Sequence, residues 1–223
     1  MNIIRSNFSD LTDSQIKQYE SLMSLYESWN NKINVVSRKD ISELNIRHVL
    51  HSLSIAKIIK FIPETKILDV GTGGGFPGIP LAIMFPEVSF HLTDSIGKKI
   101  KVVKAISNEL GLKNVVAEQI RAQNVNQQYD FVISRAVTNM TDFIKIVDGK
   151  VSTSSQNSLA NGILYLKGGD LTNELKQLKN VKTFNISSYF NDIFFESKKI
   201  VYLPMPCTGR GNQLADWNFL LLI

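Results

Sequence analysis

Four glycines fall within the five positions Gly71 to Gly75, directly after a short β-branched run, Lys66 to Val70 (KILDV). A cluster of that density lets the backbone turn sharply and lets a ligand lie against main-chain N–H groups. It is more glycine than the geometry of a turn requires. In open α/β sheets the ligand crevice lies beyond the carboxyl ends of the strands, where this loop falls. The downstream pattern agrees with such a sheet. Leu81–Phe85 is helical in character, Ser89 to Thr93 reads as a second strand, and Lys98 to Leu110 as a helix with Gly111 placed to stop it. Val115–Glu118, Tyr129–Ser134 and Ile163–Lys167 supply three more strands. Strands alternating with helices at this spacing imply parallel βαβ units, hence an α/β doubly wound sheet. Two further strands, around Thr183–Ser188 and Lys199–Leu203, have no clear helix between them and predict an antiparallel hairpin at the sheet edge.

Upstream of the sheet the rhythm is helical. Thr12 and Gln15 have capping-box spacing, and Ile16, Tyr19, Leu22, Tyr26, Trp29 and Ile33 recur every three to four residues, predicting one amphipathic helix to about Ile33. A second helix is expected from about Ile41 to Phe61, closed by Pro63. Residues 1–63 therefore read as an N-terminal helical lobe, 64–206 as the ligand-binding core and 207–223 as a divergent tail. The polar stretch Ser152 to Ser158 reads as a solvated connection.

Composition narrows the function classes. With 43% apolar and 20% charged residues in 223, the chain is neither disordered nor fibrous. One cysteine, Cys207, excludes an internal disulfide and has no partner histidine in an evident motif, and three histidines leave little for a metal cage. The expectation is no bound metal. No apolar run approaches the roughly 20 residues of a membrane span, and Met1 to Asp10 has no continuous apolar stretch of a secretory signal. These bounds predict a cytoplasmic protein without membrane partners. The net charge of +5 permits a polyanionic partner without demanding one.

Two nucleotide classes suit the glycine loop. Gly73-x-Gly75-x-x-Gly78 formally matches the dinucleotide fingerprint, and Asp94 lies near the offset expected for a ribose-binding acid. A pyrophosphate, however, needs an open helix N-terminus, and Pro77 and Pro80 remove N–H donors from that segment. S-adenosylmethionine has no pyrophosphate. Its amino-acid end needs a glycine turn and its ribose an acid after the second strand, which Asp94 supplies unless it only caps the next helix. The methyl donor is the better reading. Arg135, just past the fourth strand, can hydrogen-bond a carboxylate, a phosphate or the O6 edge of guanine. Lys167 either reaches RNA phosphate or snorkels from its strand end, and His48 either touches substrate or braces the crevice. Lys98, Lys99, Lys101 and Lys104 are a solvated helix face or an RNA footprint.

Several stretches in fixed order carry a family resemblance. They are Trp29-Asn30 with Lys32-Ile33-Asn34, His48 with Ser52-Leu53, LDVGTGGGFPGIPLAI from Leu68 to Ile83, and Asp94-Ser95 with Lys98-Lys99. Arg121-Ala122, Ile133-Ser134-Arg135-Ala136 and Leu166-Lys167-Gly168 complete the series. The chain resembles the glucose-inhibited division protein B (GidB) family, guanine-N7 methyltransferases of small-subunit ribosomal RNA. The resemblance implies a class I, Rossmann-like methyltransferase fold, S-adenosyl-L-methionine as cofactor, and small-subunit ribosomal RNA or the ribosomal subunit as partner. It implies that Gly71 and Gly73 bound the methionine end of the cofactor, Phe76 shapes the loop, Asp94 meets the ribose, Ala122 and Gln123 lie by the adenine, and Arg135 faces the transfer site. His48 and Lys167 are the candidate substrate-binding residues. No general base is expected, because guanine N7 keeps an available lone pair at neutral pH and proximity suffices. A monomer suffices for this chemistry.

Three positions depart from the family pattern. His51 stands where an acid is usual, Gln123 replaces a glutamate, and the tail from Cys207 resembles no family ending. The rival readings are a same-fold methyltransferase with another substrate, an NAD(P)-dependent oxidoreductase, and a non-catalytic RNA-binding protein.

Overall fold

The computed structural model describes residues 3–37 and 40–205. A single-turn helix, α1 (Ile3–Asn7), precedes α2 (Asp13–Asn30). Thr12 starts α2 through the expected capping box. Its hydroxyl accepts from the Gln15 N–H at 3.3 Å, and the Gln15 side chain accepts from the Thr12 N–H at 2.9 Å. Ile16, Tyr19, Leu22 and Tyr26 form the buried stripe, and the helix stops at Asn30, short of Ile33.

The single helix expected over Ile41–Phe61 does not form. Instead the chain winds wide as a π turn over Asn45–Leu50, makes one α turn, α3 (His51–Leu53), and tightens to a 3-10 turn over Ser54–Lys57. Serine hydroxyls explain the break. Ser52 Oγ donates to the His48 carbonyl and Ser54 Oγ to the His51 carbonyl, both at 2.6 Å, competing with the backbone for the acceptors that a regular helix would use.

Among the described residues seven strands follow in one sheet: β1 (Lys66–Val70), β2 (Ser89–Asp94), β3 (Val115–Gln119), β4 (Phe131–Arg135), β5 (Gly162–Gly168), β6 (Lys182–Asn185) and β7 (Lys198–Pro204). Their order is β3-β2-β1-β4-β5-β7-β6. The first five are parallel, as expected, and β7 runs antiparallel to both β5 and β6. The predicted antiparallel pair is therefore present at the sheet edge, with β6 outermost and β7 between it and β5. The chain also leaves the sheet at Asn185, not Ser188. Ile186 is fully buried, and a 3-10 turn over Ile186–Ser188 carries it into the core.

Among the described residues four further α-helices pack on the sheet: α4 (Gly78–Met84), α5 (Gly97–Glu109), α6 (Met140–Ile146) and α7 (Thr172–Leu175). α4 begins ahead of the expected Leu81, since Pro80 in a first turn lacks only an N–H that the turn would not use. Gly111 lies two residues past the end of α5, as read. The sheet separates two apolar layers. Ile67 packs with Tyr19, Leu22, Ile79 and Val103 on one side, whereas Leu68 and Val70 pack with Met140, Phe143 and Val147 on the other. The Ser152 to Ser158 stretch forms no strand or helix, and Asn157 Oδ1 accepts from the Ile62 N–H at 3.0 Å. No helix among the described residues is long and apolar enough to cross a membrane. Cys207 and the tail lie outside the described residues.

Candidate active site

The glycine loop is held from beneath by an aspartate and from the side by the helical lobe. Asp69, in β1, is fully buried; its Oδ2 accepts from Thr72 Oγ1 at 2.7 Å and from the Gly78 N–H at 2.9 Å. Tyr26 donates its hydroxyl to the Gly74 carbonyl at 2.6 Å, and Tyr19 to the Pro80 carbonyl at 2.8 Å. The Gly73 N–H donates to Asp94 Oδ2 at 3.0 Å. Thus the loop is tied to β1, to β2 and to α2 at once.

Burial pushes the Asp69 carboxyl up from 3.8 to about 7, the charge of Asp94 adding to the rise while Thr72, the Gly78 N–H and Arg135 oppose it. A carboxyl raised in the folded state contributes stability below its unfolded value, and loses it as pH climbs through the folded one. The difference in Tm between the wild type and Asp69→Asn should therefore shrink between about pH 4.5 and about pH 8. A difference that holds constant across that window, in thermal melts of both proteins, would contradict this account.

Above the loop lies a cleft of about 570 Å³. Gly71, Gly73, Phe76, Asp94, Ala122, Gln123 and Arg135 all line it, so the topology brings together seven positions spread over 65 residues of sequence, from 71 to 135. Asp94 is nearly buried; besides Gly73, it accepts from the Ile96 N–H at 2.9 Å through Oδ1. It ties the start of α5 down without being its capping residue, and each oxygen keeps a second lone pair for a ligand hydroxyl. Ala122 and Gln123 sit on a 3-10 turn after β3, opposite the half-exposed Ile96.

The chemistry of this lining fits S-adenosylmethionine. A glycine turn open to the cleft suits the amino-acid end, an acid at the end of β2 suits a ribose diol, and Ile96, Ile120 and Ala122 give an apolar seat for a purine. A dinucleotide fits poorly. At the start of α4 the Gly78 N–H is used by Asp69, the Ile79 N–H by the Gly75 carbonyl at 2.7 Å and the Leu81 N–H by Pro77, while Pro80 has none. No donor is left for a pyrophosphate there.

Arg135 ends β4 and forms the wall between this cleft and a second hollow of about 230 Å³. Its Nη1 donates to the Arg47 carbonyl at 3.3 Å and its Nη2 to His48 Nδ1 at 2.8 Å; the guanidinium lies 5.2 Å from the Phe76 ring centroid. Because arginine only donates, His48 Nδ1 is the acceptor and its proton sits on Nε2. Burial first, and the Arg135 charge second, push the His48 ring down to about 3, so it stays neutral. Burial likewise brings Arg135 down to about 10, and it remains cationic at neutral pH. Among the described residues it meets no carboxylate at ion-pair distance. A partly buried cation without a counter-ion carries a desolvation cost, and an anion entering at this wall relieves it.

The second hollow also holds His48, Lys167 and His51. Lys167 does not present a free ammonium. It pairs with Glu174 and donates to the Thr138 carbonyl at 2.8 Å. His51 is buried, packed edge-on to Phe194 and Phe195, and burial holds its ring well below the usual imidazole range. Where the resemblance implies an acid, this chain has a neutral packed ring. Of the basic run, Lys98, Lys101 and Lys104 are exposed on α5, and Lys99 leans to within 3.8 Å of Asp94. Sequence reasoning missed Asp69, Arg47 and the hydroxyls of Tyr19 and Tyr26. A signal for the last pair existed, since two tyrosines in a buried stripe each need a partner for the O–H.

The family model described as "rRNA small subunit methyltransferase G" (GidB) matches residues 14–200. A ribosomal RNA small subunit methyltransferase G of Flavobacterium psychrophilum is 60% identical over 205 residues, covering 92% of this chain and 98% of the relative. One from Christiangramia forsetii is 56% identical over 209 residues, covering 94% and 99%. Among solved structures, a SAM-dependent methyltransferase from Aquifex aeolicus superposes with a TM-score of 0.52 at 14% identity, over 75% of this chain and 97% of that one, which is a likeness of fold.

Proposed function

Because this chain belongs to the rRNA small subunit methyltransferase G family, we propose that it transfers the methyl group of S-adenosylmethionine to N7 of a guanine in 16S ribosomal RNA. The observation that carries this reading is the meeting of the two hollows at Arg135. One is built for a nucleoside with an amino-acid end, and the other is small, cation-lined and open to solvent.

When bound, S-adenosylmethionine supplies a methyl group on a sulfonium, already activated for transfer. Gly71 and Gly73 bound its methionine end, Asp94 takes the ribose, Ala122 and Gln123 flank the adenine, and Phe76 holds the loop in shape from below. Guanine N7 attacks with its own lone pair, so the protein needs no general base. What it must supply is position. Arg135, fixed by the Arg47 carbonyl and His48, orients the incoming guanine or its phosphate at the wall between donor and acceptor. His48 keeps a donor, Nε2–H, on the acceptor side. Lys167 contributes less to RNA contact than its strand-end position suggests, because its charge is already paired. The reaction belongs in the cytoplasm, where ribosomal subunits are found, and one chain supplies both hollows.

The test is single-turnover transfer of labelled methyl from S-adenosylmethionine to 16S RNA and to small subunits lacking the modification, followed by nucleoside analysis. Label in 7-methylguanosine is the expected result. Cofactor binding with no label on any RNA would reject the acceptor, and would turn the search to small molecules or proteins.

A further inference from the structure

The second hollow contains an aromatic ring that the methyl-transfer chemistry does not use. Phe194 lies on a 3-10 turn, Ile193–Phe195, in the connection between β6 and β7. It is only partly buried, whereas Phe195 beside it is fully buried. Two cations lie over the ring: the Lys198 ammonium is 4.9 Å and the Arg47 guanidinium carbon 5.9 Å from its centroid, and a mobile lysine side chain can yield that face to a base. Behind it, His51 and Phe195 pack edge-on with centroids at 5.5 and 5.1 Å, which fixes the orientation of the ring. Lys198 reaches this place by crossing Gly168. A Cβ on that glycine would lie 3.1 Å from Lys198 Nζ and 3.2 Å from its Cδ, so the absence of a side chain leaves the path open. Arg47 is partly neutralised by Asp40 at 2.6 Å, but Lys198 forms no ion pair with any described carboxylate. Ile193, next in sequence, is 81% exposed.

An oriented aromatic ring beside an unneutralised ammonium, in an open hollow of about 230 Å³, is the pattern that binds unstacked nucleotides. We propose that Phe194 is a stacking platform for an unpaired base of the RNA substrate, with Lys198 meeting the adjoining phosphate. This rests on the proposed function and adds to it a substrate-binding surface supplied by the C-terminal part of the sheet.

The experiment compares Phe194→Leu, Phe194→Trp and Lys198→Ala with the wild type on small subunits lacking the modification. Phe194→Leu should raise KM for RNA roughly 5- to 150-fold, the range of one base–aromatic stack, while S-adenosylmethionine affinity and Tm hold. Phe194→Trp should stay near wild type. Lys198→Ala should lower the slope of log KM against log salt by about one. A change confined to KM places a neighbouring base on the ring, and a fall in kcat as well places the reacting guanine there. An unchanged KM in Phe194→Leu overturns the proposal, as does equal damage in the Leu and Trp variants accompanied by weaker cofactor binding. Binding of a fluorescent single-stranded RNA, read without S-adenosylmethionine, tests the platform separately. If the wild type transfers no methyl to guanine but Phe194→Leu still weakens RNA binding, the proposed reaction fails and the platform stands.

Discussion

Arg135→Ala is expected to lower single-turnover methyl transfer by at least about 10²-fold while leaving the protein folded, because loss of positioning at a reacting centre costs rate on that scale. Two arguments separate this outcome from simple unfolding. The guanidinium is a partly buried cation with no described carboxylate against it, so removing it relieves some desolvation cost as well as deleting two hydrogen bonds. Those two bonds end on a carbonyl and a neutral imidazole; His48 keeps the freedom to rebond to water, and the Phe76 ring it covers still packs on Tyr26 at 4.8 Å. Arg135→Lys should not rescue the rate. A single ammonium cannot span the Arg47 carbonyl and His48 Nδ1 while presenting a planar face to substrate. Transfer within tenfold of wild type in Arg135→Ala, with methyl release followed at saturating cofactor, would remove Arg135 from the positioning role.

The second large effect contrasts two glycines of one loop. Gly75 has φ +102, and a Cβ there would lie 2.5 Å from Ile79 Cδ1 and 3.1 Å from the Tyr26 hydroxyl. Gly75→Ala combines backbone strain with overpacking, each worth about 1–3 kcal/mol, so a loss of about 3 kcal/mol or more is expected in denaturant unfolding. Gly73 has φ +59, yet a Cβ there would meet nothing nearer than the Gly71 carbonyl at 4.0 Å. Gly73→Ala carries the strain alone, and its methyl group enters the cleft. It should therefore fold with the smaller stability loss and weaken S-adenosylmethionine binding, measured by calorimetry. Equal stability losses in the two variants, with cofactor affinity intact in Gly73→Ala, would show that the loop faces the ligand differently.

The contrast also shows what could be read from the residues alone. The glycine cluster, the strand before it and Asp94 at the end of the next strand were legible because their meaning is local, set by φ, by hydrogen-bond donors and by a short offset. That the first five strands run parallel was legible, because strands alternating with helices need crossover connections; their order was not. The insertion of β7 between β5 and β6 was not, since two strands joined by twelve residues pair antiparallel in either position. α6 was missed although Asn139 caps it by accepting from the Asp142 N–H at 2.9 Å, because its seven residues carry too little periodicity to stand out. The break in the second helix was carried by Ser52 and Ser54, whose hydroxyls act only once a carbonyl is within reach. Arg47 and Phe194 are 147 positions apart, and no pattern in the chain announces that they share a hollow.

The two tyrosine hydroxyls that grip Gly74 and Pro80 have a consequence for how inactivating alleles should distribute. A buried carbonyl stripped of its donor costs about 1–3 kcal/mol, and here that cost falls on the segment that shapes the proposed cofactor cleft. In a random mutagenesis screen, lesions at the Tyr19 and Tyr26 codons would then register as loss of cofactor affinity, although neither residue lines the cleft. A map of damaging substitutions would highlight α2 as strongly as the glycine loop. Genetically the lobe and the sheet would behave as one locus of function.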